Sequence, residues 1–329
     1  MADSIDGSIS RLVYDVHGEK KMIALVGYTG FVGSNIYAAS GDRIDALYNS
    51  KNIAEATGTK PDLLIYAGLR AEKYLANTNP EADMALIEEA KENIRKIAPK
   101  ELVLISTVDV LKDPNGRNED TEIETLDLHP YGLNRYRLEE WVRAEYPEAL
   151  MIRLPGLYGK NLKKNFIYDY INVIPFMLKA DVFERLSSRG ERLREYYADA
   201  GKGFFKCKEL ETGEREMLKE AFRNLGFTAL NFTDSRNVYQ FYPLSRLWAD
   251  IQIARKNHLT LLHPATEPVS AAELYRYLCG QEFVNEIAQT PVYYDYRSKY
   301  AEIFGGQGAY LMTKDEVMRD IKKFASVAL

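Results

Sequence analysis

Short apolar runs alternate with amphipathic segments through the first 160 residues of the chain. The runs of β-strand length cover residues 22–26, 44–48, 62–67, 102–106 and 150–154. Between them, apolar side chains recur at helical spacing over residues 31–39, over 80–97 and beyond Tyr131. Strands that alternate with helices in this way predict a parallel sheet with helices on both faces, the doubly wound α/β arrangement.

The character of the sequence changes after residue 160, where charged amphipathic segments with glycine breaks predict a mostly helical insertion. A helix expected at 244–255 and a strand expected at 259–262 indicate a later return to the first domain. The predicted first domain covers residues 22–160, after an N-terminal arm at 1–21, and the chain returns to this domain at 236–263. The predicted smaller, mostly helical C-terminal domain consists of 161–235 and 264–329.

Composition narrows the functional classes. Hydrophobic residues make up 46% and charged residues 28% of the chain, as in folded globular proteins. The net charge of -5 argues against a nucleic-acid partner. Two distant cysteines and four histidines without ligand spacing predict neither a disulfide nor a metal site.

No apolar stretch approaches the roughly 20 residues that a membrane-spanning helix needs. Residues 1–21 are mixed and polar, unlike a signal peptide. We therefore expect a cytoplasmic protein without membrane association, and the sequence is compatible with a homodimer.

Three glycines follow the first strand and open the first helix, in the loop Gly27-Tyr28-Thr29-Gly30-Phe31-Val32-Gly33. In dinucleotide-binding domains, glycines so placed permit a tight turn, let the backbone approach a pyrophosphate and allow close packing of helix on strand. The free N–H groups of the helix start then bind the phosphates without a basic side chain. The loop therefore predicts a dinucleotide cofactor on a Rossmann domain.

The end of the second strand bears on the choice of cofactor. A carboxylate there would accept hydrogen bonds from the ribose of NAD, but the sequence continues Asn49-Ser50-Lys51. The hydroxyl of Ser50 and the ammonium of Lys51 suit the 2′-phosphate of NADP. A polar turn with a solvated lysine explains the same residues, so NAD stays open.

The GxxGxxG spacing resembles that of short-chain dehydrogenases/reductases, in particular the extended epimerase and dehydratase branch. Motifs of that branch follow in order after the third, fourth and fifth strands: Ala67-Gly68, Ile105-Ser106-Thr107, Tyr131-Gly132-Leu133-Asn134-Arg135, and Arg153-Leu154-Pro155-Gly156. The resemblance implies that the smaller domain binds substrate. The glycine loop, the end of the second strand and these motifs together give the predicted cofactor site. It comprises Gly27, Thr29, Gly30, Phe31, Val32, Gly33, Asn49, Ser50, Lys51, Ala67, Gly68 and Pro155.

In this family a Ser or Thr, a Tyr and a Lys four residues after the Tyr form the active centre. By position these residues are Thr107, Tyr131 and Arg135, with Ser106 as the alternative hydroxyl. The tyrosine acts as acid or base toward a hydroxyl or carbonyl group, and a nearby cation favours its phenolate. Val108 takes the place where dehydratases carry an acid, which disfavours dehydration even though Asp109 follows.

Arg135 departs from the family pattern, because arginine is bulkier than lysine, planar and differently directed. Three interpretations follow: a working variant, a binding protein that has lost catalysis, or a site in which another cation serves.

The resemblance also implies a sugar-like and, in some members, nucleotide-sugar substrate, although Tyr239-Gln240-Phe241 lacks the arginine that usually holds the nucleotide phosphates. Lys160, Lys163 and Lys164, which follow Gly159, offer a replacement for that charge, or form an ordinary solvated cluster. Our leading hypothesis is an NADP- or NAD-dependent reductase or epimerase. The alternative is a dinucleotide-binding sensor or scaffold without turnover.

Overall fold

The computed structural model describes residues 21–189 and 192–328, so the predicted N-terminal arm lies outside the described residues except for Lys21. Up to Lys160 the strands and helices are β1 (Ile23–Val26), α1 (Phe31–Ser40), β2 (Ala46–Tyr48), β3 (Leu63–Tyr66), α2 (Lys73–Thr78), α3 (Pro80–Ile97), β4 (Glu101–Thr107), α4 (Pro130–Glu145), β5 (Leu150–Leu154) and β6 (Gly156–Tyr158).

The remaining elements are α5 (Phe166–Asn172), β7 (Met177–Lys179), α6 (Ala180–Ser187), α7 (Leu193–Tyr196), β8 (Tyr197–Asp199), β9 (Phe204–Cys207), α8 (Thr212–Leu225), β10 (Val238–Tyr239), β11 (Phe241–Pro243), α9 (Leu247–Lys256), β12 (Leu261–Leu262), β13 (Val269–Ser270), α10 (Ala271–Cys279) and α11 (Lys314–Ala328).

The chain divides into two compact units. The first unit comprises the described part of Met1–Lys160 together with Tyr242–Ala265 and Tyr296–Leu311. The second unit comprises Asn161–Phe241, Thr266–Asp295 and the described part of Met312–Leu329.

The first unit is built on a six-stranded sheet in the order β2-β1-β3-β4-β5-β12. Every neighbouring pair is parallel. The chain leaves β1 toward β2 on one side and then crosses to β3 on the other, so the strand order reverses between β1 and β3. In open α/β sheets, ligands bind outside the carboxyl ends of the strands at such a point. The sheet confirms the predicted doubly wound α/β fold.

The strand residues are mostly apolar because helices cover both faces of the sheet. All four residues of β1 and all four of β3 are buried. Alternate side chains point to opposite faces. Leu25 accordingly packs with α1 and α9 in one apolar core, and Ala24 packs with α3 and α4 in the other.

Capping residues set the start of the two helices that lie nearest to the site described below. The side chain of Asn79 accepts a hydrogen bond from Ala82 N at the start of α3, and Pro80 occupies the first turn. His129 caps α4 in the same way, since its Nδ1 accepts from Gly132 N at 3.0 Å and Pro130 follows it.

The second unit has its own apolar core, which includes Phe183, Tyr197 and Phe222. The predicted mostly helical insertion also contains a three-stranded antiparallel sheet in the order β7-β9-β8. These strands have three or four residues each and carry lysines and exposed positions, so their apolar pattern is too short to show in the sequence.

Residues Tyr296–Leu311 pack in the first unit, whereas the sequence placed all of 264–329 in the smaller domain. The predicted return to the first domain began at residue 236, but the first unit resumes at Tyr242. Polar contacts hold the later segment, including Ser298 Oγ to Glu119 Oε1 at 2.7 Å, and such contacts leave no periodic apolar pattern.

Among the residues described, no helix is long and apolar enough to cross a membrane, and no group of three His, Cys, Asp or Glu side chains is arranged to hold a metal ion.

Candidate functional site

The carboxyl edge of the parallel sheet brings most of the predicted site residues together. Gly27 follows β1, Asn49 follows β2, Ala67 follows β3, Thr107 ends β4 and Pro155 follows β5. Because these strands are parallel neighbours, their carboxyl ends share one edge. Sequence order alone does not give this proximity; the strand order does.

The turn between β1 and α1 forms the cradle that a dinucleotide pyrophosphate would occupy. Gly27 has φ +89°, and an added Cβ there would lie 2.3 Å from the carbonyl oxygen of Ala67. An added Cβ on Gly33 would lie 2.1 Å from the carbonyl oxygen of Gly27. Both distances are shorter than any real contact, so only glycine allows the loops after β1 and β3 and the start of α1 to approach so closely.

The start of α1 supplies donors to this cradle. Gly30 is the N-cap and its N–H donates to Gly27 O at 2.9 Å, while the first helical hydrogen bond runs from Ser34 N to Gly30 O. The N–H groups of Phe31 and Val32 therefore lie in the first turn, where α-helices have no internal acceptor. This turn has no acidic side chain, so nothing in it opposes an anion.

The segment after β2 is an asparagine-built turn. Asn52 Oδ1 accepts from Asn49 N at 2.8 Å, and Asn49 Oδ1 accepts from Lys51 N at 2.8 Å. The side-chain oxygen of Asn49 thus holds the turn, while Ser50 and Lys51 are exposed.

Thr107 and Tyr131 meet at the start of α4. Tyr131 is 6% exposed, and the side chain of Thr107 lies near its hydroxyl. Burial raises the pKa of Tyr131 above its ordinary value of about 10, and the nearby carboxylate of Asp109 adds to the rise. Arg135 and Thr107 counter this rise only in part, so Tyr131 is a neutral phenol at neutral pH.

Ser106 is committed elsewhere. Its hydroxyl donates to Glu139 Oε1 at 2.6 Å inside a buried network, and Arg153 NH2 donates to Glu139 Oε2 at 2.7 Å. This geometry favours Thr107 over Ser106 as the hydroxyl beside the tyrosine.

Arg135 lies against the ring of Tyr131, with its guanidinium carbon 4.3 Å from the ring centroid. It is 4% exposed and ion-paired with Asp83 of α3, which also accepts from Asn134 Nδ2 at 2.9 Å. Its NH2 group donates to the carbonyl of Arg70 at 2.7 Å. The guanidinium is therefore a buried structural cation that stacks on the tyrosine.

A second cation, the ammonium of Lys73, lies beside Asp109, and the sequence did not single it out. Lys73 of α2 forms an ion pair with Asp109 at 2.6 Å, and Asp109 lies 3.4 Å from the hydroxyl of Thr107. His129 Nε2 is 3.9 Å from Asp109, and burial together with Lys73 lowers the pKa of His129. No sequence signal distinguishes Lys73 or Asp83, because each is one charge among many on an amphipathic segment.

The positions predicted on the substrate side are Gln240 and the lysines that follow Gly159. Gln240, in the triplet that lacks the phosphate-holding arginine, is 2% exposed and its Nε2 donates to Thr266 O at 2.6 Å. Lys160 and Lys163 are exposed. Their roles stay predictions.

No protein-family model and no curated protein matches the sequence. Solved structures match the fold over more than nine-tenths of the chain. A dTDP-4-dehydrorhamnose reductase from Bacillus anthracis in complex with NADP has a TM-score of 0.58 and 14% identity, covering 93% of this chain and 98% of that one.

A UDP-galactose 4-epimerase has a TM-score of 0.58 and 14% identity, with 93% of this chain and 99% of that one covered. A short-chain dehydrogenase/reductase superfamily protein from Agrobacterium tumefaciens with bound NAD has a TM-score of 0.56 and 14% identity, with 93% and 96% covered. At these identities the likeness concerns the fold, which is that of the family predicted from the motifs.

Proposed function

We propose that this chain, which has the extended short-chain dehydrogenase/reductase fold, is an NADP-dependent reductase that acts on a carbonyl group of a nucleotide sugar. The observation that carries the proposal is the buried phenol of Tyr131, which lies beside Thr107 at the carboxyl edge of the sheet. The B. anthracis neighbour is a reductase of a dTDP-linked dehydro sugar with NADP bound. That match supports the same class of substrate here.

The cofactor would be held by the glycine turn and by the start of α1. Gly27 and Gly33 allow the close approach of backbone to pyrophosphate, and Phe31 and Val32 supply N–H donors. The exposed Ser50 and Lys51 fit the 2′-phosphate that distinguishes NADP. When bound, the reduced nicotinamide supplies a hydride.

Tyr131 favours reduction over oxidation. Because burial raises the pKa of its hydroxyl, the phenol is protonated at neutral pH and can give a proton to a substrate carbonyl oxygen. Oxidation of a hydroxyl group would require the phenolate, which burial disfavours.

The test begins with calorimetric titration of the chain with NADPH and NADH, in which NADPH should bind more tightly. NADPH oxidation is then followed with dTDP-4-dehydrorhamnose as the probe substrate. Tyr131→Phe should lower kcat by about 10²–10⁴-fold, the usual contribution of a positioned acid, without weakening NADPH binding.

The matched control is Tyr74→Phe, because Tyr74 is 78% exposed on α2 and should leave kcat unchanged. If the chain binds NADPH but does not oxidise it, the chain is a cofactor-binding protein without turnover and not a reductase. Failure to bind either cofactor would overturn the proposal as a whole.

A further inference from the structure

The carboxylate of Asp169, on α5 in the second unit, is half-buried. Within the part of the chain that the structure describes, neither a hydrogen bond nor an ion pair reaches its oxygens. Burial raises the pKa of Asp169 to about 6, and no neighbouring cation counters that rise. Buried carboxylates are normally paired or hydrogen-bonded, because removing their charge from water is costly. Asp169 therefore needs a partner that the described residues do not supply.

Aromatic rings pack around Phe166, which is a helical neighbour of Asp169. Phe166 lies three residues before Asp169, so the two side chains are adjacent on the surface of α5. The ring of Phe166 stacks on that of Tyr239 with centroids 6.4 Å apart and lies 6.1 Å from that of Phe283. Burial raises the pKa of Tyr239 and the charge of Asp169 contributes to the rise, so the carboxylate lies near this ring as well. Asp169 thus has two stacked rings beside it.

Further contacts inside the second unit hold these rings in place. Phe283 lies 5.2 Å from Tyr275, and Tyr275 lies edge-on to Tyr170 at 5.8 Å, which returns the series of rings to α5. The hydroxyl of Tyr239 accepts a hydrogen bond from Asn237 Nδ2 at 2.9 Å. Rings fixed in this way lose little conformational entropy when a ligand packs on them.

The charges around Tyr239 are negative on balance. Asp234 also contributes to its raised pKa, but Asp234 is paired with Arg236 at 2.8 Å. Arg236 in turn pairs with Glu286 at 3.1 Å, so this guanidinium is already engaged by two carboxylates. An ionised carboxylate can only accept hydrogen bonds, and the faces of aromatic rings attract cations. Both features select a positively charged ligand.

We propose that Asp169, Phe166 and Tyr239 form a binding site on the second unit for the ammonium group of a small molecule. The carboxylate neutralises the charge of the ammonium, and the two ring faces attract it through their quadrupoles. Quaternary ammonium groups suit the site best, because their methyl groups pack on the rings. This inference goes beyond the proposed function and does not depend on it.

The test uses choline as the probe, with the full chain and without cofactor or substrate. The trimethylammonium protons of choline give a single proton NMR signal, which should move upfield because protons above ring faces are shielded. The matched probe is 3,3-dimethyl-1-butanol, which has the same shape without the charge. It should bind about 10-fold more weakly than choline, since it lacks both the ion pair and the attraction to the rings.

Asp169→Asn keeps the size of the side chain and removes its charge, so it should raise the Kd for choline by about 10-fold. Asp181→Asn is the matched control, because Asp181 is exposed on α6 of the same unit and its loss changes the net charge equally. It should leave the Kd for choline unchanged.

Urea unfolding followed by circular dichroism at pH 7 separates binding from a structural role. The pKa of Asp169 in the folded chain lies above its ordinary value of 3.8, so the folded state disfavours the ionised form. Asp169→Asn should therefore not lower the midpoint of unfolding. A lower midpoint would mean that the carboxylate stabilises the fold, which contradicts an unpaired group.

Three further results would overturn the site. The first is a choline signal that does not move in the presence of the wild-type chain. The second is equal affinity for choline and 3,3-dimethyl-1-butanol, since that indicates an apolar surface without selection for charge. The third is an Asp169→Asn chain that binds choline as the wild-type chain does.

Discussion

The spacing of Tyr131 and Arg135 on α4 is that of the family pattern, yet the two side chains do not interact as that pattern implies. The guanidinium stacks on the phenol ring and spends its hydrogen bonds on Asp83 and the carbonyl of Arg70. Its charge lowers the pKa of Tyr131, but burial outweighs it. The three interpretations of Arg135 stay predictions, because the ion pair and the stacking fix where the guanidinium lies and do not test catalysis.

Replacing Arg135 by lysine should therefore destabilise the first unit and should not improve catalysis. Lysine has no planar fork, so it cannot bind both Asp83 and the Arg70 carbonyl or stack as well on Tyr131. We expect the free energy of unfolding to fall by about 1–3 kcal/mol, the cost of leaving buried polar groups unsatisfied.

Both tryptophans, Trp141 and Trp248, belong to the first unit, so their fluorescence during denaturant unfolding measures this loss. Arg95→Lys is the control, since Arg95 also stacks on an aromatic ring but is exposed on α3. A rise in kcat for Arg135→Lys would contradict our reading of the residue.

At the residue scale, sequence reasoning could predict Thr107 and Tyr131 because their motifs follow fixed positions on a strand and a helix. It could not predict the partners of Arg135, because Asp83 is 52 residues away and becomes a neighbour only when α3 and α4 pack together. Contacts between elements leave no periodic mark in the sequence.

Among the elements, the unit of β1, its turn and α1 depends on glycines whose missing side chains make the packing possible. Gly33→Ala would place a methyl group 2.1 Å from the carbonyl oxygen of Gly27. We expect a loss of about 1–3 kcal/mol in stability from this overlap, together with a higher Kd for NADPH. Tryptophan fluorescence and calorimetry measure the two effects.

Gly213→Ala provides the comparison, because a Cβ at Gly213 in α8 meets nothing within 4 Å. It should leave the Kd for NADPH unchanged. An unaltered Kd in Gly33→Ala would show that the turn does not hold the cofactor.

Elements that are fully buried or clearly periodic could be predicted from the sequence with small errors at their ends. The strand expected at 102–106 is Glu101–Thr107, and the helix expected at 80–97 is Pro80–Ile97. The three strands of the antiparallel sheet in the second unit were missed because three or four residues are too few to show a period of two.

On the scale of the whole molecule, a buried polar network joins the three chain segments of the first unit. Glu119 comes from the first segment, His263 from the second and Ser298 from the third. Glu119 Oε1 accepts from His263 N at 2.9 Å and from Ser298 Oγ at 2.7 Å. The network thereby links the segments by which the chain re-enters the first unit after each stretch that belongs to the second unit.

This network should make the first unit sensitive to acid. Burial, followed by the charge of Arg153, lowers the pKa of His263 to about 3, whereas an unfolded histidine titrates near pH 6.5. As the pH falls from 7 to 5, the unfolded chain binds a proton that the folded chain does not. The free energy of unfolding should therefore decrease by about 2 kcal/mol over this interval.

His263→Asn should remove that slope, as measured by tryptophan fluorescence in denaturant at each pH. His258→Asn is the matched control, because His258 is exposed in the same unit and has φ +54°, which asparagine tolerates. Equal slopes in the wild-type chain and in His263→Asn would exclude His263 as the cause.

The sequence could predict that residues near 244–262 return to the first domain, because a helix and a strand mark that return. It could not predict the return of Tyr296–Leu311, which forms no strand of the sheet and is held by hydrogen bonds such as Leu311 N to Ala265 O at 2.7 Å. A segment held by its backbone carries no distinctive composition.

The strand order of the sheet has a consequence for self-association. Its two outer strands are β2 and β12, which have three and two residues, respectively. A sheet edge invites another chain to add a strand in proportion to the row of N–H and C=O groups it exposes, and short edge strands are one way in which proteins limit this. The edges of this sheet therefore offer little template for edge-to-edge aggregation, although its inner strands are mostly apolar.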